Sequence, residues 1–186
     1  MIRKVRQEEI HHLYPFVYNI LSNLGLPLLE EMDEDELTQI MIEAMESPQY
    51  RYGIEHAWLC VQENQVAGVL FGYPGEYISL VDGPLKVALS ERGYTSSEII
   101  QNPETHSGEW YLDKLMIAPT FRNKGIGHRM LQIIDNIAKE AGYTTIGLNC
   151  PVDNKIAYHL YKKVGFAEHT KILLGDQAHF HMTKEL

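Results

Sequence analysis

Arg122-Asn-Lys-Gly-Ile-Gly127 is the stretch that decides the fold, because a strand and a helix meet in it. An apolar strand is predicted over residues 109–117 and an amphipathic helix over residues 124–141. The first turn of a helix leaves backbone N–H groups without partners, and the helix dipole adds partial positive charge. The glycines leave space, and Arg122 and Lys124 add charge. The stretch therefore predicts an anion-binding turn, with a purely structural glycine turn as the alternative.

The glycine spacing separates this turn from two common nucleotide-binding loops. The ATP-binding pattern Gly-x-x-x-x-Gly-Lys-Ser/Thr is not matched. The dinucleotide pattern Gly-x-Gly-x-x-Gly fails because position 130 is Met. Neither loop is therefore predicted here.

Strands and helices alternate along the rest of the chain. Apolar patterning predicts strands over residues 2–5, 57–62, 65–72, 109–117, 144–150, 166–174 and 178–184. It predicts helices over residues 8–24, 33–46, 124–141 and 154–164. A stretch rich in glycine and proline, residues 73–108, is interpreted as a variable insertion over the sheet edge, with short helices near 85–91 and 97–101. A hairpin followed by crossing helices indicates an α/β fold with a mixed sheet and helices on its faces.

Length and composition predict one soluble domain over residues 1–186. No apolar run approaches the ~20 residues of a membrane span, so no membrane partner and a cytoplasmic location are expected. The net charge of −9 disfavours nucleic acid and suits a cationic substrate, although acidity for solubility alone explains it equally well. Cys60 and Cys150 lie in apolar runs and are interpreted as buried thiols.

The decisive stretch resembles a known signature. Arg-Asn-Lys-Gly-Ile-Gly is similar to the Arg/Gln-x-x-Gly-x-Gly/Ala motif of the GNAT superfamily of N-acetyltransferases. Leu112-Asp-Lys-Leu-Met-Ile-Ala-Pro119 resembles the fourth strand of that family, and Asn154-Lys-Ile-Ala-Tyr-His-Leu-Tyr-Lys-Lys-Val-Gly-Phe166 resembles its Asn-x-x-Ala-x-x-Leu-Tyr-x-x-x-Gly-Phe segment. The similarity is strong over residues 109–166, looser at 57–72 and not specific over 73–108. It implies a GNAT-like, mostly antiparallel mixed sheet.

The resemblance also implies a site for acetyl-CoA as cosubstrate, with no metal. Strands 109–117 and 144–150 would splay apart, and the pantetheine arm would bond to the backbone of Met116 and Ile117 between them. Asn154 would contact the CoA near its thiol. The pyrophosphate would be held by the turn, namely Arg122, Asn123, Lys124, Gly125, Ile126, Gly127 and His128.

Transfer to an amine requires a base for the amine proton and an acid for the departing thiolate. Tyr161 occupies the position where the family often places its acid, with helix packing as the alternative role and Tyr158 as a stand-in. Glu109 and Asp113 alternate onto one strand face and are the candidate bases. Either carboxylate is alternatively a solvated or sheet-edge charge.

Two further patterns are weaker. Cys150 at a strand end suggests an acyl-cysteine intermediate, but no histidine pattern supports one. Direct transfer is therefore favoured. His179 and His181 share a strand face, yet no third ligand is in view. They are interpreted as strand-surface histidines rather than a metal site.

The expected function is transfer of an acetyl group from acetyl-CoA to a primary amine in a ternary complex. The alternative is a non-catalytic CoA-binding sensor or regulatory module. The acceptor, a cationic small molecule or a protein amine, is expected to contact residues 24–35 and 73–108. Candidate pocket residues are Tyr73, Tyr77, Tyr94, Glu30, Glu31, Asp33 and Glu34. Pairing of C-terminal strands across a homodimer is conceivable.

Overall fold

A computed structural model describes residues 1–23, 32–95 and 104–186, and its strands form one mixed sheet. The sheet order is β1-β2-β3-β4-β5-β7-β6. Only β4 and β5 are parallel among the neighbouring pairs of the described residues. The predicted mixed, mostly antiparallel sheet is therefore confirmed. The strands are β1 Ile2–Lys4, β2 Ala57–Gln62, β3 Gln65–Pro74, β4 Trp110–Ile117, β5 Thr145–Pro151, β6 Ala167–Leu174 and β7 Gln177–Glu185.

Helices cover both faces of this sheet. The α-helices of the described ranges are α1 Tyr14–Ser22, α2 Glu34–Glu46, α3 Gly83–Ser90, α4 Ile126–Glu140 and α5 Lys155–Lys163. Short 3₁₀ helices occupy Gln7–His12, Ile54–His56, Gly75–Ser79 and Pro119–Phe121. Within the part of the chain that the structure describes, no helix is long and apolar enough to cross a membrane.

The core has two halves, one on each face of the sheet. On the first face, α1, α2 and α3 pack onto residues such as Val69 and Phe71 of β3. On the second face, α4 and α5 pack onto Leu112 of β4 and Leu148 of β5. The buried side of α4 follows helical spacing, with Ile126, Met130, Leu131, Ile134 and Ala138 all inside.

The central strands β4 and β5 form a fork. They pair at three positions only, of which Leu112 with Leu148 is the last. Beyond it, β4 stays paired with β3 and β5 stays paired with β7, so the two strands follow different neighbours. The register with β3 skips Asp113, which is the extra residue of a β-bulge and bends β4 at the point of separation. The splayed strands expected from the family resemblance are confirmed.

Most element boundaries differ from the sequence-based expectation by one or two residues, and two differences have a clear physical cause. The single helix predicted over 8–24 is instead a 3₁₀ helix followed by α1, because Pro15 cannot continue a preceding turn and starts a new helix. Helix α4 begins after Gly125 rather than at Lys124, because Gly125 has a left-handed φ of 74°. Within the described part of the insertion, α3 packs with α2 in the first-face core. The predicted helix at 97–101 lies outside the described residues.

His56 gives a stability prediction. It is 9% exposed, and its Nε2 has no hydrogen-bond partner among the described residues. Desolvation lowers the pKa of His56 to about 4 from 6.5. Protonation of His56 therefore favours the unfolded chain. The stability that comes from keeping this ring neutral is complete above pH ~6.5. As the pH falls towards ~4, the free energy of unfolding decreases by up to about 3 kcal/mol.

His56→Phe keeps a ring against Tyr73 and removes the titration. Urea unfolding of both proteins between pH 4 and 7 measures the effect. As the pH falls from 7 to 4, the free energy of unfolding should decrease less for the variant than for wild type. An equal decrease in both proteins would show that His56 does not cause the pH dependence.

Candidate active site

The turn between β4 and α4 has the backbone of an open helix N-terminus. Phe121 is buried beneath it, whereas residues 122–125 are exposed. Asn123 and Gly125 have left-handed φ angles of 61° and 74°, so helical backbone begins only after them. No side chain caps α4, and its first internal bond runs from Arg129 N to Gly125 O. The N–H groups of the first turn therefore have no intrahelical acceptor, which is what an anion site requires.

Two cations stand beside these N–H groups. The Lys124 ammonium lies 5.0 Å from the centre of the Phe121 ring. The Arg122 Nε donates to the Ile117 carbonyl at 3.2 Å. Both residues are exposed, so each keeps charge at the surface where a phosphate would arrive.

Gly127 places this turn against the open end of the fork. A Cβ built on Gly127 would lie 3.4 Å from Leu160 Cδ2 and 3.9 Å from Ile117 Cγ1. The first turn of α4 thus packs beside the end of β4 and beside α5. His128 follows it, with a buried Nδ1 that has no partner in the described ranges. An anion at the turn would therefore sit at the mouth of the fork.

The remaining predicted CoA contacts lie on the two arms of the fork. Met116 and Ile117 pair with β3, and the other edge of β4 faces no strand here among the described residues. Asn154 is the N-cap of α5, and its Oδ1 accepts from Ala157 N at 3.1 Å. Helix capping therefore accounts for Asn154, and the CoA contacts of these three residues stay predictions.

Tyr161 and Tyr158 of α5 differ in how their hydroxyls are engaged. Tyr158 donates to Glu168. Tyr161 is partly buried with its ring 5.9 Å from that of Phe166. Burial, with a smaller effect from Cys150, raises the pKa of Tyr161 above its ordinary value, so its hydroxyl keeps the proton that an acid must donate.

The chain is similar to known acetyltransferases in sequence and in fold. The profile of the acetyltransferase (GNAT) family matches residues 25–166, more than half of the chain. A crystal structure described as that of an acetyltransferase superposes with a TM-score of 0.91 at 33% identity, covering 100% of this chain and 98% of that chain. The chain belongs to the acetyltransferase (GNAT) family. The resemblance inferred from the residues is confirmed.

Two further matches are similar to the whole chain or to part of it. An N-acetyltransferase from Staphylococcus aureus Mu50 shares the fold, with a TM-score of 0.79 at 23% identity over 98% of this chain and 99% of that chain. GCN5-related N-acetyltransferase 4, chloroplastic, from Arabidopsis thaliana is 35% identical over 63 residues, which are 34% of this chain and 22% of that protein. The match therefore spans about a fifth of the length of that relative.

On the first face of this GNAT domain, a buried arginine joins three carboxylates. Arg51 is 1% exposed and lies 2.8 Å from Asp82, 2.6 Å from Glu104 and 3.0 Å from Asp113. Tyr73 donates to the same Oδ2 of Asp113 at 3.0 Å. The side chain of Asp113 is fully buried and engaged on both oxygens. Its expected role as a base stays a prediction.

The other candidate base, Glu109, is also engaged. Its Oε2 lies 3.0 Å from Nε2 of His181, and its Oε1 accepts from the backbone N–H of His106 at 2.8 Å. The second ring nitrogen of His181 lies 2.7 Å from Asn149 Oδ1. His181 is wholly buried because β7 is an inner strand of the sheet, so the expectation of a strand-surface histidine is wrong for this residue.

The expected acceptor pocket is only partly described. Tyr73 is fully buried and bonded to Asp113, so it belongs to the core and does not line an open pocket. The Tyr94 hydroxyl donates to Glu36 at 2.7 Å, and Asp33 caps α2. Tyr77 and Glu34 are exposed, whereas Glu30 and Glu31 lie outside the described residues.

Sequence reasoning missed several residues of this polar network, among them Arg51, Asp82, Glu104 and Asn149, and it did not predict the burial of His181. Arg51 and Glu104 belong to loop-like sequence, where charged residues are normally solvated. Asn149 gave a usable signal, because a polar side chain interrupts the apolar run of β5. Their partners lie at least 31 residues away in sequence except for Tyr111, so local patterns do not reveal the contacts.

Gly147 provides a test of the Glu109 contact. A Cβ on Gly147 would stand 2.0 Å from Glu109 Oε2, which already contacts His181, while Oε1 of the same carboxylate accepts from the His106 N–H. Gly147→Ala should displace the carboxylate and destabilise the fold by about 1–3 kcal/mol, measured by denaturant unfolding.

Gly83→Ala is the matched control, because a Cβ there meets nothing within 4 Å. In a Glu109→Ala background, Gly147→Ala should cost much less, since the obstructed group is gone. Equal costs in the two backgrounds would show that Glu109 does not cover Gly147.

Proposed function

We propose that this GNAT protein transfers an acetyl group from acetyl-CoA to a primary amine by direct attack within a ternary complex. The observation that carries the proposal is the uncapped N-terminus of α4 at the mouth of the fork. Family membership supports acetyl transfer as the reaction class. The open N–H groups and exposed cations suit the pyrophosphate of CoA, and the fork suits a narrow arm carrying the thioester.

The chemistry assigned to the site requires proton transfer to a base and from an acid. The amine nitrogen attacks the thioester carbon, the C–N bond forms, and the C–S bond breaks as the tetrahedral intermediate collapses. The ammonium first loses one proton to a base, so that the nitrogen can attack as a neutral amine. The nitrogen loses its second proton as the amide forms, the thiolate gains one from Tyr161, and one proton is released in net. An amine with a pKa of ~10.4 is only about 0.04% neutral at pH 7, so the base supplies an advantage worth roughly 4–5 kcal/mol.

Cys150 supports direct transfer rather than an acyl-cysteine. It is a free, buried thiol. Burial raises the pKa of Cys150 to about 11, so the thiol form dominates at neutral pH. Because the thiolate is the nucleophile, Cys150 is poorly suited to attack a thioester.

The acceptor we propose is a cationic amine, either a small molecule or a protein amine. The chain carries a net charge of −9, which raises the local concentration of cations through long-range attraction. A polyamine and a protein lysine both meet this description.

Thiol release from acetyl-CoA with a panel of amines tests the function. Wild type should release CoA thiol only when a suitable amine is present, and acetylated amine should form in equal amount. Binding of acetyl-CoA without thiol release for any amine in the panel would sink the proposal in favour of a CoA-binding sensor.

Tyr161→Phe tests the proposed acid. Loss of the hydroxyl should lower kcat by roughly 10²-fold, because the leaving thiolate loses its proton donor, while the KM for acetyl-CoA changes little. Tyr158→Phe is the control, since the Tyr158 hydroxyl is bonded to Glu168 instead. Equal loss in both variants would assign Tyr161 to packing.

A further inference from the structure

The closed end of the fork is where the reactive end of a bound arm would arrive. The turn that holds the anion follows β4, next to Ile117. An arm that starts there and bonds along β4 runs backwards towards Leu112, the last position paired with β5. Tyr111 and Asn149 flank that position on the first face, one from each strand. A thioester at the end of the arm would lie beside these two side chains.

The amide orientation of Asn149 follows from its partners. One Asn149 group lies 2.6 Å from the backbone oxygen of Glu104, which can only accept, so this group is the Nδ2 donor. The same Nδ2 lies 3.0 Å from the Tyr111 hydroxyl oxygen. The hydroxyl therefore accepts from Asn149, and its own proton points elsewhere.

That proton points to a carboxylate. The Tyr111 hydroxyl donates to Glu104 Oε2 at 3.3 Å. The hydroxyl oxygen has a second lone pair, which neither of these two contacts uses. Tyr111 is thus oriented to receive one proton and to pass its own to Glu104.

Glu104 is placed to keep such a proton. It is 8% exposed, and its Oε1 lies 2.6 Å from Arg51 Nη1. Arg51 serves three carboxylates, so the ionised cluster would carry an excess of negative charge in a buried place. Burial raises the pKa of Glu104, the Asp113 charge raises it further, and Arg51 opposes both effects.

The groups around Glu104 come from several elements. Their charges and hydroxyls set the environment in which it would titrate. They are Arg51 and Tyr52 before β2, Tyr73 on β3, Asp82 ahead of α3, and Tyr111, Asp113 and Lys114 on β4.

Glu109 and Asp113 lack this connection. Asp113 is saturated by Arg51, Tyr73 and Tyr52. Glu109 contacts His181 and the His106 backbone. Among the contacts of the described residues, neither carboxylate is bonded to Tyr111, whose hydroxyl contacts Glu104 and Asn149.

We propose that Glu104, acting through the Tyr111 hydroxyl, takes up the first proton that the acceptor amine loses. The inference rests on the proposed transfer to an amine. Before the attack, one ammonium proton moves to the Tyr111 oxygen as the Tyr111 proton moves to Glu104 Oε2, so Tyr111 ends as it began and Glu104 ends protonated. The neutral nitrogen then bonds to the thioester carbon and loses its second proton as the amide forms. The C–S electrons leave with the thiolate, which Tyr161 protonates.

Glu104→Gln and Tyr111→Phe test this path through the pH dependence of kcat/KM for the amine, measured between pH 6 and 10. At pH 7 each variant should lose roughly 10²-fold. The loss should shrink as the pH approaches ~10, because the amine then deprotonates in solution. Titration calorimetry should show unchanged affinity for acetyl-CoA.

Tyr73→Phe is the matched control, because Tyr73 is an equally buried tyrosine of the same cluster whose hydroxyl bonds to Asp113. It should retain the wild-type pH profile whatever its effect on Tm. Tyr111→Phe leaves the Glu104 pair with Arg51 intact, so it reports even where Glu104→Gln folds poorly.

The outcomes separate the two proposals. Variants whose kcat/KM stays equal to wild type, or falls by the same factor at every pH, would overturn the proton path and leave the transfer reaction standing. Wild type that binds acetyl-CoA yet acetylates no amine would overturn the proposed function itself.

Discussion

The buried guanidinium of Arg51 is the interaction on which the first face of the domain depends. Its three carboxylate partners come from separate segments: Asp82 before α3, Glu104 before β4, and Asp113 at the bulge of β4. A charge buried this deeply is tolerated only when it is paired, and loss of one partner of such a group costs about 3–5 kcal/mol. Pairing with Arg51 therefore holds these three segments together, and their carboxylates compensate the buried charge of Arg51. Because Asp113 is the bulge residue, the same cluster holds β4 in the bend that opens the fork.

The two faces of the sheet carry charged groups of different kinds. Beside α4 the protein offers open N–H groups and exposed cations, which suit the phosphates of a cosubstrate. The first face instead concentrates carboxylates around one arginine, which suits proton uptake from a cationic partner. The fork lies between these environments, because β4 and β5 stop pairing after Leu112 and Leu148. An acidic chain thus carries exposed cations beside this turn without becoming basic overall.

Sequence predicted the parts of the fold that depend on local periodicity. The β2–β3 hairpin, the strand before the signature and the helix after it were all found, because each follows from apolar spacing or from glycine at a turn. The polar network of the first face was not predicted. Arg51 and Asp113 are 62 residues apart, and His181 and Glu109 are 72 apart, so their pairing appears only after the sheet has formed. Tyr73 was expected in an open pocket for the same reason, since nothing local distinguishes a buried tyrosine from an exposed one.

The directions of the hydrogen bonds on this face depend on one amide. Asn149 is the first residue of β5 beyond the pairing with β4, so its side chain stands where the fork begins. Because its Nδ2 faces Glu104 O and Tyr111, its Oδ1 faces His181, and the Nδ1 of that ring must carry a proton. The remaining ring nitrogen lies 3.0 Å from Glu109 Oε2, and the same carboxylate accepts from the N–H of His106 through Oε1. Asn149 therefore orients the hydrogen bonds at the start of the fork, those of Tyr111 towards Glu104 and that of the His181 ring.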